Sequence, residues 1–99
     1  MDEHETPYEQ GARETVELGN QIAEAASDAT LSEVADGLLA GAIQYWLYAH
    51  QPCGDPACEE CKPLCTAELR LDALRKTLED FARSSEYFHT PEDFDAGRA

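Results

Sequence analysis

Three stretches of the chain carry apolar residues at helical spacing, and none alternates with the period of two that a strand requires. The first opens at Thr6-Pro7-Tyr8-Glu9. Thr6 suits the cap, Pro7 the first helical position, and Glu9 completes a capping box. Tyr8, Ala12, Val16, Ile22, Ala23 and Ala26 follow as a thin stripe, with Gly11 and Gly19 weakening it. A helix over about 6–29 is expected, fading near Ser27–Ala29. The second stretch opens at Thr30-Leu31-Ser32-Glu33, another capping box, and predicts a helix over about 31–50. From Val34 to Ala49 it is apolar on nearly every face, a pattern of helices buried on most sides. Its neighbours in so short a chain cannot cover it all, and the surplus points to self-association. The plainer alternative is that Tyr45, Trp46 and Tyr48 sit half-exposed as amphipathic aromatics. Pro52 stops the helix.

The third stretch places Leu64, Ala67, Leu71, Leu74, Leu78 and Phe81 at intervals alternating between three and four. That is a coiled-coil-like seam suited to antiparallel packing. Pro63 reads as its first position, so a helix over about 63–84 is expected, with Cys65 in its first turn. Asp72 with Lys76 and Glu79 with Arg83 are acid-before-base pairs on a solvated face. Thr90-Pro91-Glu92-Asp93 resembles a further capped start with too little chain after it, and predicts a short turn or frayed tail. The fold class is therefore all-α. It is a three-helix bundle in a single domain over 1–99, with tails at 1–5 and 85–99. A metal loop over 51–62 clamps helices two and three into a hairpin.

At 99 residues and 42% hydrophobic content, the chain has a thin core. Chains of this size often rely on a metal, a disulfide or a partner. The net charge is −14, from 21 acidic and 7 basic residues. That argues against binding a nucleic-acid backbone. Residues 1–50 carry ten acids and one base, Arg13, so the N-terminal half holds most of the field. Only Lys62 and Lys76 are lysines. Such acid-rich, lysine-poor composition resembles that of proteins from salt-loving archaea, whose carboxylates hold water in concentrated salt. An acidic surface for a basic partner is the alternative. Gln44 and His50 interrupt the richest apolar run, so no membrane span is expected. Met1-Asp2-Glu3-His4-Glu5 has neither a basic nor an apolar leader region, so no signal peptide is expected and the compartment reads as cytoplasmic.

The chemistry sits between the second and third helices, in His50-Gln-Pro-Cys53-Gly-Asp-Pro-Ala-Cys58-Glu-Glu-Cys61-Lys-Pro-Leu-Cys65. All four cysteines fall within thirteen residues. Cys58 and Cys61 form a C-x2-C knuckle, the spacing that lets two thiolates reach one ion. Cys65 follows one helical turn on, and Cys53 enters from the other side of the Gly54-Asp55-Pro56 turn. Four soft thiolates suit tetrahedral zinc, and a site filled by four protein ligands is structural. His50 has knuckle spacing to Cys53, and is an alternative ligand or a group that orients one.

Other readings stay open. Cys53-x4-Cys58-x2-Cys61 echoes the plant-type ferredoxin run, whose fourth ligand lies far downstream, and so implies an iron–sulfur electron-transfer protein. Two disulfides would suit a secreted protein. A redox pair at Cys58 and Cys61 lacks a βαβ setting, and Glu59 and Glu60 would raise the thiol pKa values. A helix, metal loop and helix with a histidine ending the first helix resembles the loops of TAZ domains. The likeness covers residues 50–65, and departs from that pattern in its four cysteines and acidic surface. His4 and His89 are expected to be solvent-exposed.

The function expected is a small zinc-stabilised helical interaction module, self-associating through helix two as a homodimer and binding a protein partner of unknown identity. A DNA-binding regulator is a third reading. Lys62, Arg70, Arg75, Lys76 and Arg83 lie on or beside helix three, but interleaved with acids. Catalysis is not expected. No Ser-His-Asp set or glycine-rich phosphate loop is present, and Glu59 and Glu60 diverge.

Overall fold

The computed structural model describes residues 4–55 and 57–91. Pro56, in the turn before the knuckle, lies outside them, as do Glu92 and Asp93 of the expected C-terminal turn and the rest of that tail. The described residues form three α-helices and one short 3-10 turn, with no strand. Helix α1 spans Pro7–Ala25, α2 spans Leu31–Ala49 and α3 spans Ala67–Ser84. The 3-10 turn is Lys62–Leu64. The chain divides into two compact units, Met1–Ala49 and His50–Ala99. No helix among the described residues is long and apolar enough to cross a membrane.

In the first unit, α1 starts on the full capping box and α2 on the threonine half of one. Glu9 N–H donates to Thr6 Oγ1 at 3.1 Å, and Thr6 N–H donates to a Glu9 carboxylate oxygen at 3.0 Å. Glu33 N–H donates to Thr30 Oγ1 at 3.1 Å. Helix α1 ends at Ala25, a little before the expected fade, where Ala26 N–H still donates to Ile22 O. A five-residue link then folds α2 back against α1. Gly19 is the buried residue of α1, and a Cβ there would stand 2.7 Å from Leu38 Cδ1. The glycine that weakens the helix as a sequence is thus the point where α2 comes closest. Gly37 and Gly41 differ, since a Cβ on either would meet nothing within 4 Å. Each costs α2 about 1 kcal/mol relative to alanine, and no neighbour within the chain accounts for it.

Arg13 organises the surface of α1. Its guanidinium donates twice to Glu5, at 2.7 and 2.9 Å, and reaches Glu17 at 3.2 Å. The Arg13 hydrogen bond, aided by its charge, holds the Glu5 carboxyl below the ordinary carboxylate range. A lowered folded-state value means that the stabilisation is present above the ordinary carboxylate pKa and lost as pH falls through the folded value. Following the Glu5 carboxyl carbon by NMR should give a midpoint below the ordinary carboxylate range, and Arg13→Ala should raise it. An unchanged midpoint in that variant would mean that the pair does not form in solution.

In the second unit, α3 begins four residues later than Pro63 suggests. Thr66 is extended and caps the helix, accepting Leu69 N–H at 3.0 Å. Pro63 instead lies in the 3-10 turn. Cys65 consequently precedes the cap residue and does not lie in the first turn of α3. Arg70 reaches back from α3 and donates to Leu64 O at 2.9 Å, tying the helix to that turn. Glu79 and Arg83 pair as expected at 3.2 Å, whereas Asp72 meets Arg75 at 3.8 Å. These exposed pairs contribute little.

The core is thinner than the periodicity suggests. Leu74, at 5% exposure, is the buried hydrophobic residue among the described ones. Leu71, Leu78 and Phe81 of the same seam are exposed. On α2, Tyr45 and Tyr48 are 70% and 74% exposed, so the fully apolar helix is not covered within one chain.

Candidate metal centre

The link from α2 to α3 is built from tight turns, each with a visible cause. Gly54 has φ of +92°, a conformation open to glycine and strained for other residues. Asp55 then closes a turn twice. Its side chain accepts Ala57 N–H at 2.9 Å and its carbonyl accepts Cys58 N–H at 3.0 Å. Beyond the knuckle, Leu64 N–H donates to Cys61 O at 2.9 Å as the chain enters the 3-10 turn. These turns fold residues 53–61 back on themselves.

The result is a cluster of three thiols. The sulfurs of Cys53, Cys58 and Cys61 all lie within 4.8 Å of one another. Tetrahedral zinc with bonds of ~2.3 Å sets its sulfurs roughly 3.8 Å apart, so the cluster needs to tighten by at most about 1 Å. Cys53 N–H also donates to Cys61 Sγ at 3.3 Å, a hydrogen bond that favours the thiolate a metal requires. Cys58 and Cys61 are half-buried and Cys53 is exposed.

The remaining candidates stand differently. Cys65 is outside the cluster, and its thiol donates to Cys61 O at 3.1 Å. It lines a shallow cavity of about 280 Å³ with Pro52, Gly54 and Asp55, the residues that flank Cys53. Its thiol is therefore held against Cys61, next to the cluster but not in it. His50 is half-buried and is not part of the cluster. His4 and His89 are exposed, as expected.

The local fields also depart from what the sequence suggests. Backbone N–H of Cys61 is the main influence on Cys58. With the Cys61 and Cys53 thiols and Glu60 N–H it holds the Cys58 thiol below its usual range. At Cys61, the Cys53 N–H favours the thiolate most strongly. The sulfurs of Cys53 and Cys58 together with partial desolvation outweigh it, and the thiol is pushed up to about 11. Neither shift is caused by the charge of Glu59 or Glu60. Three sulfurs this close cannot all ionise without a cation among them, which is the chemistry of a metal-binding set.

Gly54 offers a direct check on the turn. Gly54→Ala places a side chain at a φ that disfavours it, a strain of about 1–3 kcal/mol. Its expected effect is a lower metal affinity in a chelator competition with little change in the helices of the first unit. Equal affinity in the variant would show that the cluster does not depend on this turn.

Compared with protein families, curated proteins and solved structures, the chain matches none. The likeness of residues 50–65 to TAZ-domain loops is accordingly one of loop pattern, with no family behind it.

Proposed function

We propose that this chain is a small zinc-stabilised helical interaction module without catalytic activity. The observation that carries the reading is the meeting of the Cys53, Cys58 and Cys61 sulfurs within 4.8 Å. Cys65, exposed and hydrogen-bonded to Cys61 O, is the fourth ligand in this reading. Zinc held by four thiolates has no open position for water or substrate, so its contribution is to folding and not to a reaction. The need for four reduced thiols suits a reducing, cytoplasmic compartment. The acid-rich, lysine-poor surface suits concentrated salt. Exposed aromatic and aliphatic residues on α2 favour self-association over a free monomer.

The test is metal analysis by mass spectrometry on protein purified without added metal. One zinc per chain is the expected result, together with a cobalt derivative showing thiolate charge-transfer bands. Iron with acid-labile sulfide would replace this reading with an electron-transfer protein. Intact protein with disulfides and no metal would overturn it.

A further inference from the structure

An apolar groove of about 680 Å³ runs between α1 and α2. Leu18 and Ile22 line it from α1, and Val34, Gly37, Leu38 and Gly41 line it from α2. The floor is open above both glycines, where a Cβ would meet nothing within 4 Å. Farther along α2, Tyr45 and Tyr48 lie four and seven residues beyond Gly41, on the same stripe of the helix. Their rings are 5.9 Å apart and project into solvent at 70% and 74% exposure. One half of the stripe is therefore a hollow, and the other half is a pair of aromatic knobs.

We infer that the occupant of this groove is a second copy of the same hairpin, docked antiparallel, with Tyr45 of each copy seated over Gly41 of the other and Tyr48 against Leu38. This inference deepens the self-association just proposed and rests on it. Three observations favour a second copy over a foreign partner. The first is fit. An antiparallel two-fold arrangement that sets position 41 opposite position 45 also sets position 38 opposite position 48, so the Gly41 hollow of each copy receives Tyr45 of the other.

The second is charge. From Gly37 to Ala49, α2 carries no charged residue, while Glu33 and Asp36 stand at its N-terminal end. Antiparallel docking puts those acids at opposite ends of the pair, roughly 20 Å apart for thirteen intervening residues, well beyond a Debye length of ~8 Å. A basic partner would find one lining acid, Glu33, at the end of the groove and no acid on α2 from Gly37 to Ala49. The third is area. A single helix face about 10 Å wide and 28 Å long is too small for a stable interface. A face two helices wide presents roughly 560 Å² before its corrugation is counted, on the order of the ~800 Å² that each side of a standard interface buries.

The experiment is sedimentation equilibrium of the full metal-loaded chain at about 0.15 M and about 2 M NaCl. A dimer that tightens with salt is expected, because two copies of an acidic chain repel until screened. Gly41→Leu and Tyr45→Ala should each weaken it by at least ~30-fold, the size of a hot-spot loss. Leucine favours helix more than glycine does, so loss of the dimer in Gly41→Leu with helicity kept cannot be read as loss of α2. A photo-crosslinker at position 45, in a sample of mixed isotopic labelling, should attach to residues 37–42 of the other copy. A monomer at both salt concentrations would overturn both this docking and the self-association on which it rests. A dimer indifferent to both substitutions, or one linked between residues 45–48 of the two copies, would overturn the docking and leave self-association standing. Metal content measured on the same samples keeps either result separate from the zinc reading.

Discussion

Withdrawing the metal is expected to unfold most of the second unit. A chelator strong enough to strip zinc should lower the far-UV helical signal by about a third, because α3 is 18 residues long and the two other helices are 19 each. The reason is local. The α3 start is tied to the 3-10 turn by Arg70 on Leu64 O, and that turn leads directly out of the cysteine cluster. Without an ion, the link keeps only its few turn hydrogen bonds and the weak ones to sulfur. A lone amphipathic helix of this length is marginal in water. Structural zinc binding of ~10–16 kcal/mol is coupled to such folding. Cys58→Ser and Cys61→Ser should reproduce the loss without a chelator, since each removes a sulfur from the cluster. Circular dichroism and thermal melting decide the matter. If the spectrum and the melting temperature are the same with and without metal, the ion is not structural.

Leu74→Ala is expected to be the most damaging substitution outside the cysteines. Leu74 is the buried hydrophobic residue among those described, whereas Leu71 and Leu78 on the same seam are exposed. Leucine-to-alanine changes at buried positions cost ~2–5 kcal/mol, through lost transfer energy and the cavity left behind. A domain of this size shifts its melting temperature by about 4–8 °C per kcal/mol. Even the low end is therefore a drop of about 8–16 °C. Leu78→Ala serves as the control and should cost less, since Leu78 is 37% exposed against 5% for Leu74. Equal shifts for the two variants would mean that burial along α3 in solution is not what the structure describes.

Much of this architecture can be read directly in the chain, and the exceptions have physical causes. Thr6 with Glu9 and Thr30 with Glu33 mark helix starts because capping is local and needs only neighbouring residues. The start of α3 is harder to see. Proline at position 63 is equally at home in a 3-10 turn, and the true cap, Thr66, has Leu69 and not a glutamate three residues on. That difference moves Cys65 out of the helix and aside from the other three sulfurs. Clustering in sequence brings out the metal site, but spacing alone does not say which thiols converge, since turn geometry decides where each sulfur goes. Gly19 is misleading for another reason. Its packing against Leu38 involves two helices, and the periodicity of one carries no information about the other. The seam of α3 likewise shows which residues share a face and leaves open what covers them, so most of the expected core is only partly covered.

The compactness of the cysteine cluster along the chain bears on how the protein is made. All three converging sulfurs come from nine consecutive residues, Cys53 to Cys61. Closing a loop of that length takes ~10–100 ns, whereas synthesis adds only ~5–20 residues each second. None of the three lies in α3, so the cluster can close without any residue of that helix. Loop closure would then come first in the folding of this unit, and α3 would grow from a turn already fixed in place.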